Sequence, residues 1–178
     1  MYLPDQVASR EDRTANGDTL AVSEPGAVRS GRASGTDIHS GATPDTGMDE
    51  TVSPEREAQI RDDAYCALLG IDLVDISSGT ATTRMELTED HLNFHGIPHG
   101  GAINSLADAA FAAASNADGD DAFALETNVS FLEAVDVGTT LTATAERTHE
   151  TRVTGEYEVV VTAADDRIAT FRGRVYRP

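Results

Sequence analysis

The run from Gly100 to Asn116 reads GGAINSLADAAFAAASN, and no other stretch so narrows what the chain can fold into. Ile103, Leu106, Ala107, Ala110, Phe111 and Ala114 recur at helical spacing. Alanine is the commonest residue at the remaining positions. Such a helix has little side-chain bulk, so a second layer can approach its backbone closely. The pattern therefore predicts a central helix buried on most sides. Pro98 has no N–H to donate and drives the preceding residue away from helical angles. The helix must begin after it, with His99, Gly100 and Gly101 at its entrance.

The surrounding sequence supplies the other layer. Ser53-Pro54-Glu55 reads as a helix start, with Ser as N-cap, Pro at the first position and acid in the first turn. The helix is expected to run to Leu69 and to stop at Gly70. IDLVDISSG and TATTRMEL then read as two strands joined at Ser-Ser-Gly. After the central helix, FALETNVSFLEAV, TTLTATAERTHE, TGEYEVVVTAADD and RIATFRGRVYRP are rich in β-branched and aromatic residues. The joins fall at Val137-Gly138, Thr151 to Val153 and Asp165-Asp166. The fold class is α+β, with an antiparallel sheet of about six strands.

Residues 1–52 have few large apolar side chains and no period, so they are expected to form a disordered N-terminal extension. Met48 is a plausible native start. The folded domain is expected over 53–178.

Acidic residues number 31 against 13 basic ones, a net charge of -18, and every basic residue is arginine. Such a surface repels nucleic-acid phosphates and anionic membranes, so neither is an expected partner. Loss of lysine with so much acid suits a salt-rich cytoplasm. No stretch approaches the ~20 apolar residues of a membrane span, and MYLPDQVASREDRTANGD lacks the apolar core of a signal peptide. A cytoplasmic location is expected. The one cysteine, Cys66, lies among apolar neighbours and reads as a small core residue.

Two features of the central run carry chemistry. The first is Asp108, a carboxylate in mid-helix in an apolar context. It is a functional group, a plain surface aspartate, or a carboxylate paired with an arginine. The second is the helix entrance, whose first N–H groups lack internal partners and carry the positive end of the dipole. Gly100 and Gly101 lack Cβ atoms, so a ligand oxygen could reach those groups; otherwise the glycines merely ease a tight loop. His91, His95 and His99 fall four apart, but Pro98 and Gly96 interrupt any shared helical face, and no metal site or cofactor is expected. HGG is not GxGxxG, and no P-loop lysine exists. Gly100 and Asp108 are eight residues apart, roughly 12 Å along a helix at 1.5 Å per residue. If both act on one carbon, they must come from two chains, which implies a homodimer with sites at its interface.

HLNFHGIPHGGAINSLADAAFAAASN resembles the signature of hotdog-fold acyl-CoA thioesterases of the phenylacetate-degradation (PaaI) type, and the later strands are similar as well. The resemblance covers about residues 55–178. It implies a hotdog fold, an antiparallel sheet wrapped around a central helix, in dimers that often pair into tetramers. It implies hydrolysis of an acyl-CoA substrate without a cofactor. By it, the Gly100 N–H polarises the thioester carbonyl, Asp108 of the opposite subunit activates water or attacks directly, and Asn93 and His99 position the substrate. Ala112 and Ala124 stand where some relatives carry a hydroxyl; Thr127 and Ser130 are nearby hydroxyls. Phe94, Phe111 and Phe131 are expected to wall the acyl pocket, admitting an aromatic or medium acyl chain. Arg147, Arg152, Arg172 and Arg174 are candidates for the CoA phosphates, or else pair with surface carboxylates. The alternatives are a hotdog dehydratase or hydratase using His99 as base, and a non-catalytic acyl-CoA-binding protein.

The charge balance makes a prediction. Screening extends about 3 Å in molar salt and about 30 Å at 0.01 M. The thermal midpoint should therefore fall on transfer from molar to millimolar salt, as followed by circular dichroism; an unchanged midpoint would refute the salt-adapted reading.

Overall fold

A computed structural model describes residues 52–178. The extension expected over residues 1–52, with His39, lies outside the described residues up to position 51. Two short helices come first, α1 (Pro54–Arg61) and α2 (Ala64–Leu69). The strands β1 (Ile71–Ser77) and β2 (Thr80–Glu86) follow, then the long helix α3 (Gly100–Asn116). The chain ends with β3 (Phe123–Phe131), β4 (Thr140–Glu150), β5 (Thr154–Ala163) and β6 (Asp166–Tyr176). All six strands form one antiparallel sheet in the order β1-β2-β4-β5-β6-β3.

One expected helix is two. Ser53 caps α1 as the sequence suggests, accepting from the Arg56 N–H at 3.2 Å. The helix then stops at Asp62, and Asp63 starts a new one by accepting from the N–H groups of Tyr65 and Cys66. An aspartate side chain competes for backbone donors in this way, which favours caps over helix interiors. Gly70, in the left-handed region at φ 66°, ends α2. The last hairpin differs in detail too. Its turn is Ala164-Asp165 rather than Asp165-Asp166, and Ala164 takes a positive φ of 50°.

The core lies between α3 and one face of the sheet. Ala102, Ile103, Leu106, Ala107, Ala110, Phe111, Ala113 and Ala114 are buried in it. From the sheet come Met85, Leu141, Ala143, Ala145, Tyr157, Val159, Val161, Ala169, Phe171 and Val175. Strand side chains alternate, so β4 presents Leu141, Ala143 and Ala145 inward while Thr140, Thr144 and Glu146 face solvent. Small residues on both layers bring helix and sheet together. One buried polar link crosses the gap: Thr83 Oγ1 donates to the Leu106 carbonyl at 3.0 Å. At the far end of α3, Arg56 Nε donates to the Asn116 carbonyl at 2.9 Å. A cation there is favoured by the negative end of the helix dipole.

Phe111 is the largest α3 side chain in the core, and its ring meets Tyr157 and Phe171 with centroids 5.5 Å away in each case. Burying such a ring contributes roughly 1.5–3 kcal/mol. It fits because β6 has a glycine beneath it: a Cβ on Gly173 would lie 2.6 Å from the Phe111 ring. Among the described residues no helix is long and apolar enough to cross a membrane.

Gly173→Ala must therefore push Phe111 out of place. The expected loss is about 1–3 kcal/mol, the usual range for overpacking, read as a lower urea midpoint. A midpoint equal to the parent's would contradict this packing.

Candidate active site

The loop before α3 is folded by its own polar side chains. A 3-10 turn, Glu89–His91, leads into it. His91 is buried; its Nδ1 accepts from the Thr88 N–H at 3.0 Å and its Nε2 lies 3.1 Å from the Leu69 carbonyl. Accepting at Nδ1 and donating at Nε2 is the work of a neutral imidazole. The ring ties the loop to the end of α2. Asn93 then closes a turn. Its Oδ1 accepts from the His95 N–H at 2.8 Å, and its N–H donates to the Ile97 carbonyl at 2.9 Å. The His99 N–H returns to the His91 carbonyl at 2.8 Å. His91 and His99 are thus engaged separately, and no three His, Cys, Asp or Glu side chains converge among the described residues.

His99 is the N-cap of α3, and its Nδ1 accepts from the Gly101 N–H at 2.7 Å. The imidazole proton of the neutral ring then resides on Nε2, which leaves an outward donor. The Ala102 N–H goes to the His99 carbonyl at 2.9 Å. The Gly100 N–H has no acceptor among the described residues. Both glycines are dictated by close neighbours. A Cβ at Gly101 would stand 2.8 Å from His99 Nδ1, and one at Gly100 would stand 2.9 Å from the Phe131 ring. The helix therefore begins with one unpartnered donor at the positive end of its dipole, with an aromatic ring beside it.

Two turns further on, Asp108 lies on the exposed stripe of α3. Although it keeps solvent contact in the single chain, surrounding atoms desolvate its carboxyl and raise its pKa above the ordinary aspartate value. Burial is the only cause; no cation or hydrogen-bond donor offsets it. The arginine-paired reading of this carboxylate is thereby set aside. Cys66 lies close enough for its thiol to sense Asp108. Burial first, then Asp63, and lastly Asp108 push that thiol up to about 11. It is protonated near neutrality, in keeping with a packing role.

The other candidate residues divide. Phe131 is half-exposed at the end of β3, over Gly100. Phe94 is 92 % exposed, its ring tilted against that of His95 with centroids 3.9 Å apart. Thr127 is exposed on β3, opposite Gly173. Phe111, expected as a pocket wall, is instead a core residue, 1 % exposed. Its position on the helix put it on the buried stripe together with Ala107 and Ala114.

The arginines are mostly committed. Arg147 meets Asp118 at 2.5 Å, Glu150 at 3.4 Å and Ser78 at 3.4 Å, beyond the C-terminal end of α3. Arg177 pairs with the same Glu150 and donates to the Tyr157 hydroxyl at 2.7 Å. Arg172 pairs with Glu158 and Arg174 with Glu126, both at 3.2 Å on the sheet surface. Arg152 is exposed in the β4–β5 turn. Sequence reasoning missed Ser105, one turn before Asp108, which shares a 3.0 Å hydrogen bond with the Tyr65 hydroxyl. A serine inside an alanine-rich helix gives no signal of its own.

Known proteins are similar to this chain in sequence and fold. Residues 95–170 match the Thioesterase superfamily. Acyl-coenzyme A thioesterase PaaI of Escherichia coli is 40% identical over 121 residues, covering 67% of this chain and 86% of that protein. The 1,4-dihydroxy-2-naphthoyl-CoA hydrolase of Listeria monocytogenes is 32% identical over 103 residues, 56% of this chain and 83% of that one. The solved structure of E. coli PaaI superposes with a TM-score of 0.66 at 38% identity, over 68% of this chain and 89% of that one. With a sheet wrapped on one long helix and this level of identity, the chain belongs to the thioesterase superfamily and is a PaaI-type protein of the hotdog fold.

Proposed function

We propose that this protein hydrolyses acyl-CoA thioesters to the free acid and CoA. The observation that carries the reading is the pairing, on one helix, of an unpartnered Gly100 N–H with a desolvated, cation-free Asp108. A thioester carbonyl held against the Gly100 N–H would have its developing negative charge stabilised by that donor and by the helix dipole. Asp108 takes a proton from water, the water oxygen bonds to the carbonyl carbon, and the C–S bond breaks. The proton returns from Asp108 to the departing CoA thiolate. Direct attack by Asp108, giving an anhydride that water then opens, would use the same two groups. His99, with its outward Nε2–H, and Asn93, which shapes the loop, serve to position the thioester.

The two groups are roughly 12 Å apart along one helix, so the reading places Gly100 and Asp108 of different copies in each site of a homodimer. Strand β3 supports this. It is the sheet's edge next to β6, so one side of its backbone is unpaired. It exposes Phe123, Leu125 and Phe131, and Phe94 and Ile97 of the loop are exposed as well. An edge strand with apolar side chains invites pairing with another copy.

The similar 1,4-dihydroxy-2-naphthoyl-CoA hydrolase and phenylacetic acid degradation proteins support an aromatic acyl group, which we take to be of the phenylacetyl or hydroxyphenylacetyl type. For the CoA phosphates, Arg152 is the arginine of the four with no salt bridge among the described residues. The pairs of Arg172 and Arg174 are exposed, and such pairs cost little to open. The net charge of -18 without lysine supports a salt-rich cytoplasm as the working environment.

Asp108→Asn should lower kcat by about 10²–10⁴-fold, the usual worth of a positioned base, while the protein elutes like the parent on size exclusion. Full activity would remove the mechanism. The same substitution tests the pH sign. A raised folded pKa means that the contribution of Asp108 to stability is fully present below its unfolded pKa and is lost as pH rises through the folded value. Asp108→Asn should therefore gain stability over the parent with rising pH, measured as the difference in urea midpoints. As a base, Asp108 must be ionised, so the acidic limb of kcat/KM should lie above the model-peptide aspartate value of 3.8. A limb at or below that value would count against Asp108.

A further inference from the structure

Helix α2 is held firmly, yet it turns its largest apolar side chains outward. Tyr65 is 59% exposed and Leu68 is 79% exposed, whereas Cys66 and Leu69 face the core. Four contacts fix this orientation. Asp63 caps the first turn. Arg61 donates to the Leu73 carbonyl just beyond. His91 Nε2 holds the Leu69 carbonyl at the other end. The Tyr65 hydroxyl and Ser105 Oγ share a hydrogen bond of 3.0 Å.

That last contact places Tyr65. Ser105 lies three residues before Asp108 on the same side of α3, about 4.5 Å along the axis. On α3 the accessible neighbours of Asp108 are small or polar, Asn104, Ser105, Ala109 and Ala112, and none is a large apolar residue. Large apolar surface near the carboxylate is supplied by α2. An acyl group whose thioester carbon meets Asp108 must run off along one wall, and a tyrosine ring with its hydroxyl already satisfied offers a flat apolar one.

We propose that Tyr65, backed by Leu68 and fixed by Ser105, is the acyl-selectivity wall of the site and favours acyl groups with a flat aromatic body over short linear ones. This rests on the hydrolase reading and adds the residues that choose the substrate. Tyr65 is a substrate-contacting residue; Ser105 is a positioning residue that acts through it. A hydroxyl-free ring keeps the wall, so Tyr65→Phe should resemble the parent, with a modest loss from the missing tether. Tyr65→Ala removes the wall.

The test compares binding and turnover in the full chain. Calorimetry with the inert thioethers S-benzyl-CoA and S-ethyl-CoA gives an affinity ratio for the parent, Tyr65→Ala, Tyr65→Phe and Ser105→Ala. Tyr65→Ala should reduce the preference for S-benzyl-CoA by about tenfold or more, the scale of an apolar pocket contact, and leave S-ethyl-CoA affinity within about threefold of the parent. Tyr65→Phe and Ser105→Ala delete the same hydrogen bond, so both should retain most of the preference with the same modest loss. With phenylacetyl-CoA and acetyl-CoA as substrates, the loss in Tyr65→Ala should appear in KM for the aryl substrate rather than in kcat for acetyl-CoA. A benzyl-to-ethyl ratio unchanged in Tyr65→Ala, or both affinities falling equally, overturns the wall. A parent that binds S-benzyl-CoA preferentially but cleaves no acyl-CoA would instead overturn the hydrolase reading and leave the wall standing.

Discussion

The fold and its proposed chemistry depend on how closely α3 can approach the sheet. Alanine at 102, 107, 110, 113 and 114 of α3 and at 143, 145 and 169 of the sheet is buried in one core, and backbones come near enough for Thr83 to bond the Leu106 carbonyl. Gly173 lets the tip of the Phe111 ring approach β6 closely. Dispersion and water exclusion in such a contact act over the whole length of the helix, which fixes its rotation as well as its place. Once the rotation is set, Asp108 and Ser105 must fall on the open stripe. The N-terminus of α3 must emerge at the His91–His99 loop.

The same loop shows how polar groups are spent at one helix end and withheld at one atom. His99 satisfies Gly101, its carbonyl takes Ala102, and Asn93 occupies its neighbours. Among the described residues the Gly100 N–H is left without an acceptor, beside the Phe131 ring. An unused donor at a helix start is ordinary when water can reach it. Beside the Phe131 ring, and under the proposed reading, it serves as a preorganised donor to a developing oxyanion. Asp108 shows the complementary case. In a chain of net charge -18, most carboxylates are solvated, and this one is desolvated with no cation in compensation. The surface charge and the site charge answer to different constraints.

Much of this was legible in the sequence. The spacing of Ile103, Leu106, Ala107, Ala110 and Phe111 specified a buried helix, Pro98 specified where it could start, and alternation specified the strands, because each signal is carried by residues adjacent in the chain. Asp108 stood out for the same local reason, a charge among alanines. The break at Asp62-Asp63 was written as a cap signal but was outweighed by apolar residues on both sides. That break is what turns Tyr65 and Leu68 outward.

Sequence by itself thus determined the element types, the helix entrance and the odd carboxylate, since periodicity and backbone chemistry are local. Only the tertiary structure decided the strand order, with β3 beside β6 at an open edge. It alone committed Arg147 to Asp118 and brought Tyr65 to Ser105, forty residues away. Those outcomes depend on which surfaces meet when distant segments exclude water together, and spacing along a chain does not encode that meeting.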